Sequence, residues 1–194
     1  MNVGFNMKSY YDENALDFIN DTFNCDMSSL YSFFEPYLVN AKSILDIGFG
    51  SGRDILYFRN KGFLVYGLDP SIEMCNNAKK LGLDNIYNTS VLDMKFDCEF
   101  DAIWASASLL HIKACDLKEA FLNCKKALKS NGVMYCSFKF GEYEGERDGR
   151  FFTDMTKERL ILILEDTGLS IVSDMITLDV RENRSTKWLN VILK

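Results

Sequence analysis

The sequence predicts an α/β fold: a doubly wound, mostly parallel sheet with helices on both faces, closed by a C-terminal antiparallel β-hairpin. Three observations carry that expectation. From residue 43 onward, short apolar runs alternate with helix-period stretches, the pattern of strands buried on both faces and joined by crossover helices. A glycine-rich turn, Gly48-Phe49-Gly50-Ser51-Gly52, stands between the first such run and the first such helix. The last two apolar runs, 171–180 and 188–193, have only a polar turn between them, so they pair antiparallel at one edge.

Before the sheet begins, residues 12–23 and 27–38 read as helices. In the second, Met27, Leu30, Tyr31, Phe34 and Leu38 recur at helical spacing, and Pro36 should end or kink it. Residues 43–47 form the first strand; after the glycine turn, 53–61 is a helix closed by Gly62. Residues 63–68 are the second strand, ending at Asp69-Pro70-Ser71. Ser71 is placed to cap a helix that carries Met74, Cys75, Ala78 and Leu81 on one face. A short strand at 86–87 precedes Val91-Leu92-Asp93-Met94, and 101–105 is the fourth strand. Asp116 and Glu119 make a capping-box-like pair at the start of the next helix, whose buried face is Leu117, Ala120, Phe121, Cys124, Ala127 and Leu128. Asn131-Gly132 turns the chain into a strand at 133–138. The glycine-punctuated, charged stretch 139–155 reads as a loop, and Thr156 opens a helix ended by Gly168. The expected organisation is one domain over 1–194, with an N-terminal helical lid (1–40), a central core (41–138) and a loop, helix and edge hairpin (139–194).

Composition narrows the partners. The 194 residues are 47% hydrophobic with only 2 prolines, enough for a full core and too few breakers for a long disordered stretch. The net charge is −6 and no basic stripe is visible, which weighs against a nucleic-acid partner held through phosphates and favours a small or uncharged substrate, unless a local basic patch forms in three dimensions. Lys125, Lys126 and Lys129 read as a solvated helix end. The 6 cysteines form no C-x-x-C pair and His111 is the sole histidine, so no metal-ligand spacing exists. Cys75, Cys124 and Cys136 fall at core positions, as expected of reduced thiols in a cytoplasmic protein. The N-terminus lacks the apolar region of a secretory signal, and the longest apolar runs, such as 160–164, are far too short to cross a bilayer.

The fold expectation places the chemistry. Right-handed crossovers bring the ends of all parallel strands to one edge, where ligands bind near the topological switch point. Residues 48–52, Asp69, Asp93, 105–111 and 139–155 all follow strand ends and should converge on one cleft. Glycines let the backbone turn sharply into a helix while approaching a ligand closely. An acid at the end of the next strand, Asp69, can accept both hydroxyls of a ribose.

With these residues in view the chain resembles a known family. Leu45-Asp46-Ile47-Gly48-Phe49-Gly50-Ser51-Gly52-Arg53-Asp54 is similar to the signature turn of class I S-adenosylmethionine-dependent methyltransferases, which have a Rossmann-like sheet; Phe49 replaces the commoner cysteine or alanine. Leu68-Asp69-Pro70-Ser71-Ile72-Glu73-Met74 and Val91-Leu92-Asp93-Met94 resemble the next two motifs, and Phe100-Asp101-Ala102-Ile103-Trp104 and Asn131-Gly132-Val133 continue the series. The likeness runs from about Ala41 to Phe138, and the subgroup resembled is the small, tellurite-resistance-type methyltransferases. It implies S-adenosylmethionine as cofactor and S-adenosylhomocysteine as product. It further implies that Asp46 and the backbone of Gly48, Gly50 and Gly52 hold the methionine part, with Arg53 on its carboxylate. Asp69 would take the ribose, Pro70 and Met74 would flank the adenine, and Asp93, beside Met94, would bond its amino group. Ala105 and Ser106 would line the methionine side near the sulfonium.

In-line methyl transfer asks mainly for alignment and exclusion of water, and a general base only where the acceptor loses a proton. His111 is the candidate base, weighed against a histidine satisfied by local backbone. Tyr10 and Tyr11 could fold over the cofactor as a lid. Arg147, Arg150, Arg181 and Arg184 could shape a pocket for an anion, but the expectation is solvated loop charges. Three rival readings differ in sequence terms. A nicotinamide dehydrogenase wants G-x-G-x-x-G, and Arg53 stands at the third glycine. A degenerate binding module would keep the cofactor fold as a partner or regulator, and the intact Gly48, Gly50, Gly52, Asp69 and Asp93 speak against such decay. A methyltransferase of proteins or nucleic acids acting on amide or adenine nitrogens carries an N-P-P-Y type motif, where this chain has Trp104-Ala105-Ser106-Ala107.

Overall fold

The computed structural model describes residues 7–181 and 184–194. Its strands are β1 (Ser43–Ile47), β2 (Leu64–Leu68), β3 (Ile86–Tyr87), β4 (Phe100–Ala105), β5 (Leu128–Lys139), β6 (Glu144–Arg147), β7 (Arg150–Thr153), β8 (Ile171–Leu178) and β9 (Lys187–Leu193). Seven of them form one sheet in the order β3-β2-β1-β4-β5-β9-β8; β6 and β7 pair separately. The first five in that order run parallel, and β9 is antiparallel to both β5 and β8. The predicted hairpin is therefore present, with β9 inserted beside β5 and β8 at the edge. Because β1 has β2 on one side and β4 on the other, the order of connection across the sheet reverses there, and a crevice opens at the carboxyl ends of β1 and β4.

The helices are α1 (Met7–Glu13), α2 (Ala15–Thr22), α3 (Ser28–Phe34), α4 (Arg53–Asn60), α5 (Ile72–Lys80), α6 (Ala114–Ala127) and α7 (Lys157–Leu164). Side chains alternate across the sheet. Ile44, Ala102, Trp104, Val133 and Tyr135 pack in one layer with Phe34 of α3, Phe58 of α4 and Ala78 of α5. Leu45, Ile103, Met134 and Cys136 pack in the other, with Phe121 of α6 and Leu160 of α7. A sheet covered on both faces buries every strand position, which explains why all of residues 43–47 are buried, Ser43 and Asp46 included. Cys75, Cys124 and Cys136 are buried within these layers.

The structure corrects several expected boundaries. The helix expected at 12–23 is two helices that meet at Asn14, whose side-chain amide donates to the Tyr10 carbonyl at 2.9 Å. The helix expected at 27–38 stops at Phe34 and tightens into a 3-10 turn, Glu35–Tyr37, around Pro36. No Asp116–Glu119 capping box forms, because α6 begins two residues earlier at Ala114. The expected loop at 139–155 contains the β6–β7 hairpin. Its turn is Asp148-Gly149, with φ of +50° and +71°, the two-residue geometry that matches strand twist. Among the described residues no helix is long and apolar enough to cross a membrane.

Candidate active site

At the carboxyl end of β1 the backbone turns through Gly48 and Gly50, with φ of +68° and +52°. A side chain at either would also collide with a neighbour. A Cβ on Gly48 would lie 2.4 Å from Cβ of Ser108, and one on Gly50 would lie 2.9 Å from the Phe18 ring. These contacts show how the site is enclosed. The loop after β4 presses against the glycine turn from one side, and α2 covers it from the other. The Gly50 N–H donates to Asp69 Oδ2 at 3.0 Å, and Ser71 N–H donates to Asp69 Oδ1 at 2.9 Å. Asp69, at the end of β2, thus braces the turn; burial lifts its carboxyl to about 6 against the opposing pull of those two bonds. Ser71 caps α5 as expected, accepting from Met74 N–H at 3.2 Å. Its hydroxyl donates to Asp12 at 2.6 Å, which ties α1 to the same corner.

The result is one cavity of about 570 Å³, within the range that takes small ligands. It brings together Tyr11, Gly48, Gly50, Arg53, Asp69, Pro70, Met74, Ser106 and His111 of the sequence-derived set. Asp46, Gly52, Asp93, Met94 and Ala105 do not line it. Asp46 lies beneath the glycine turn, 1% exposed, and its Oδ2 accepts no hydrogen bond among the described residues. Burial and the neighbouring Asp54 charge push its carboxyl well above the carboxylate range. Across the crevice Ser108 Oγ is likewise buried with no partner. Ala105 is buried below Ser106.

Two expected contacts are redirected. The Asp93 side chain is exposed and accepts from Ser90 Oγ at 2.5 Å; it pins the turn whose Ser90, Val91 and Leu92 face the cavity, while Met94 joins the core. The Arg53 guanidinium grips its neighbour Asp54 at 2.7 and 2.9 Å and donates to the Thr22 carbonyl at 3.0 Å. Asp54 also accepts from Tyr31 Oη at 2.5 Å and Trp104 Nε1 at 2.9 Å. Burial alone would raise Asp54, but Arg53 and these donors hold it below the ordinary carboxylate range. Arg53 is therefore the clasp that fastens the end of α2 to α4.

His111 sits in the 3-10 turn after β4. Its Nδ1 is 2.7 Å from the Phe151 carbonyl, which can only accept, so Nδ1 carries the proton. Nε2 consequently accepts from Tyr11 Oη at 2.8 Å. Burial, reinforced by the charges of Arg150 and Lys139, lowers the imidazole to about 4 against the Phe151 bond. Tyr11 crosses 100 residues of sequence to meet it, and burial raises its phenol. The cavity wall also includes Phe18, which sequence reasoning did not single out; Ser108 and Lys139, from the segments 105–111 and 139–155 expected at the cleft; and, from the second of these segments, Phe152 and Arg150, the latter expected as a solvated charge. Asp148-Gly149 was the available signal for the last two, since that dipeptide between β-rich runs marks a hairpin.

Residues 45–136, which contain the glycine turn, Asp69 and the end of β4, match the methyltransferase domain family. An uncharacterized methyltransferase of Staphylococcus carnosus is 27% identical over 165 residues, spanning 78% of each chain. These matches support reading the chain as a methyltransferase. Solved methyltransferases share its fold. The 1,6-didemethyltoxoflavin-N1-methyltransferase of Burkholderia thailandensis, solved with that substrate and S-adenosylhomocysteine, superposes with a TM-score of 0.79 at 18% identity, over 96% of this chain and 86% of the other. An S-adenosylmethionine-dependent methyltransferase of Methanosarcina mazei gives 0.73 at 18%, over 84% and 96%. The Burkholderia structure holds S-adenosylhomocysteine, the demethylated form of S-adenosylmethionine. The residues of this chain suit S-adenosylmethionine. A buried carboxylate oxygen without a donor beneath the glycine turn is complementary to an ammonium group, and an acid rooted at the end of β2 is complementary to a ribose.

Proposed function

We propose that this methyltransferase acts on a small molecule bound in the same cavity as the cofactor, at the end formed by β4, β5 and the β6–β7 hairpin. The observation that carries this reading is the continuity of one cavity from Asp69 and Met74 to His111, Lys139 and Phe152, behind a wall of N-terminal helix. A long polymer would need an open groove, whereas Tyr11 and Phe18 close this one. The Burkholderia enzyme, whose substrate is a small heterocycle, and the resemblance to small tellurite-resistance-type methyltransferases support the same reading.

Bound S-adenosylmethionine supplies a methyl group on a cationic sulfur. In this proposal Asp46 neutralises the ammonium of its methionine part, with the Gly48 and Gly50 backbone beside it, and Ser106 and Ser108 border that part from β4. Asp69 accepts from the ribose hydroxyls while keeping the glycine turn in place. Pro70 and Met74 flank the base on one side and Val91 and Leu92 on the other; Asp93 acts through the turn it pins. Arg53 positions α2 and so holds Phe18 over Gly50. His111 stays neutral down to about pH 4 and its one lone pair is engaged by Tyr11, so it is a weak base. The site therefore suits an acceptor whose nucleophilic atom already carries a lone pair. Alignment and exclusion of water then supply most of the acceleration, up to roughly 7–11 kcal/mol in ideal cases. Three buried reduced thiols fit the cytoplasm as the working compartment.

The test is a mass-spectrometric assay of S-adenosylhomocysteine production against separate small-molecule, protein and nucleic-acid fractions. Product formed with the small-molecule fraction supports the reading. Product formed with a macromolecular fraction alone contradicts it, and cofactor binding with no product in any fraction favours the non-catalytic binding module.

A further inference from the structure

The acceptor end of the cavity carries positive charge that ion pairs within the fold use only in part. Four cations line it, Lys139, Arg150, Arg181 and Arg184, and Arg147 stands beside them against the Phe152 ring. Arg147 pairs with Asp154. Arg181 is held by Asp179 at 2.8 Å and by Asp21 at 3.2 Å, and Arg184 by Asp21 at 3.1 Å. Lys139 and Arg150 have no carboxylate within ion-pair distance among the described residues; the exposed Asp148 on the hairpin turn is the remaining acid on this wall. Both instead lie against one aromatic ring. Lys139 Nζ is 3.7 Å from the Phe152 centroid, and the Arg150 guanidinium is 5.2 Å from it and 5.0 Å from the Tyr10 ring. The Arg150 side chain bonds to the Tyr11 hydroxyl, yet its buried Nε has no hydrogen-bond partner among the described residues. A ring face compensates a cation only in part, and a buried N–H without an acceptor costs stability. Two such groups side by side, in a chain of net charge −6, call for a ligand that supplies acceptors.

We propose that the methyl acceptor carries an oxyanion, a carboxylate or a phosphate, and that Lys139 and Arg150 clamp it against Phe152. This rests on the small-molecule reading above and names the chemical class of that molecule. The clamp belongs to the acceptor and not to the carboxylate of S-adenosylmethionine because of its place in the sheet. Lys139 ends β5, and Asp69 ends β2, three strand spacings away in the order β2-β1-β4-β5, or about 14 Å. The glycine turn and Asp46 lie between them on β1. Arg150 further bonds to the Tyr11 hydroxyl and opposes the rise that burial imposes on its phenol. The anion would thus be anchored with the rest of the acceptor reaching back toward β4. The fixed positive charge has a second consequence: it stabilises a nucleophilic oxygen or nitrogen in its deprotonated form, which a weakly basic His111 cannot generate alone.

Calorimetry on protein saturated with S-adenosylhomocysteine tests this, with benzoate, phenyl phosphate and neutral benzamide as probes. The expected result is that one or both anions bind about tenfold or more tighter than benzamide, the scale of one or two charge-assisted hydrogen bonds. Lys139→Gln and Arg150→Gln should each remove most of that preference, while Arg150→Lys keeps part of it. The affinity for S-adenosylhomocysteine should change less than about twofold in all three variants. Whether benzoate or phenyl phosphate is preferred separates the two oxyanions. Equal binding of benzamide, no anion binding at all, or an anion preference untouched by both Gln variants would overturn the proposal. So would a large loss of S-adenosylhomocysteine affinity in Lys139→Gln, because the cations would then serve the cofactor. Failure of the wild-type protein to bind S-adenosylhomocysteine would instead remove the reading beneath it.

Discussion

The histidine of the cavity can be tested in isolation, because the chain contains one histidine. Its imidazole is depressed from 6.5 to about 4, chiefly by burial. The folded state therefore binds that proton less readily than the unfolded chain. Stability from His111 is fully present above pH 6.5 and is lost as pH falls toward 4. The shift corresponds to about 3 kcal/mol. Buried Asp69 runs the opposite way, since its folded carboxyl is raised to about 6 and its contribution is lost as pH rises from 4 to 6. The two nearly cancel in the wild type, so the comparison must be made against His111→Asn. Urea unfolding at several pH values should show the stability advantage of wild type over His111→Asn shrinking by about 3 kcal/mol between pH 7 and pH 4. Nitrogen-15 NMR of the single imidazole reads the same quantity directly. It should show the proton on Nδ1, bonded to the Phe151 carbonyl, and no titration above about pH 5. An imidazole that titrates near 6.5, or one protonated on Nε2, would refute both the burial argument and the direction assigned to the Tyr11 bond.

Other substitutions probe the remaining parts. Asp69→Ala should weaken S-adenosylmethionine binding by about 1–3 kcal/mol, the cost of unpaired ligand hydroxyls, as read by calorimetry. Wild-type affinity should also fall as pH drops through about 6, where Asp69 takes up a proton, and Asp69→Asn should lose that dependence. Asp54→Asn breaks a buried pair that also receives Tyr31 and Trp104, and should cost about 3–5 kcal/mol of folding stability in urea. Tyr11→Phe keeps the ring contact with Phe18 but strands the Nε2 lone pair, and should lower stability by about 1–3 kcal/mol.

The parts of the fold that could be read from sequence were those with local causes. The strand at 43–47, the glycine turn and the Ser71 cap each follow from residues within a few positions of one another. That the parallel strands end along one edge followed from handedness, and the antiparallel last pair from the missing crossover between them. What escaped has long-range causes. Arg53 looked like a ligand contact because it follows the glycines, yet its partners include a carbonyl 31 residues back, and the shared Asp54 reaches an indole 50 residues on. Asp93 stood at a motif position, but the turn that it closes aims its carboxylate at Ser90. His111 drew attention by its chemistry, while Tyr11, which occupies its lone pair, lies 100 residues away. The β6–β7 hairpin was legible in Asp148-Gly149 and was masked by the charged residues around it, which turn out to face the cavity with Lys139 and Phe152.

One calorimetric comparison bears on the whole account: S-adenosylhomocysteine against 5′-methylthioadenosine, in wild type and Asp46→Asn. The two ligands share the nucleoside and the thioether, and only the first carries an ammonium group. The account predicts that Asp46→Asn weakens S-adenosylhomocysteine by about tenfold or more and leaves 5′-methylthioadenosine within about twofold, because the orphaned Oδ2 serves the ammonium alone. Equal losses for both ligands, or no change for either, would mean that the buried carboxylate beneath the glycine turn does not receive the cofactor.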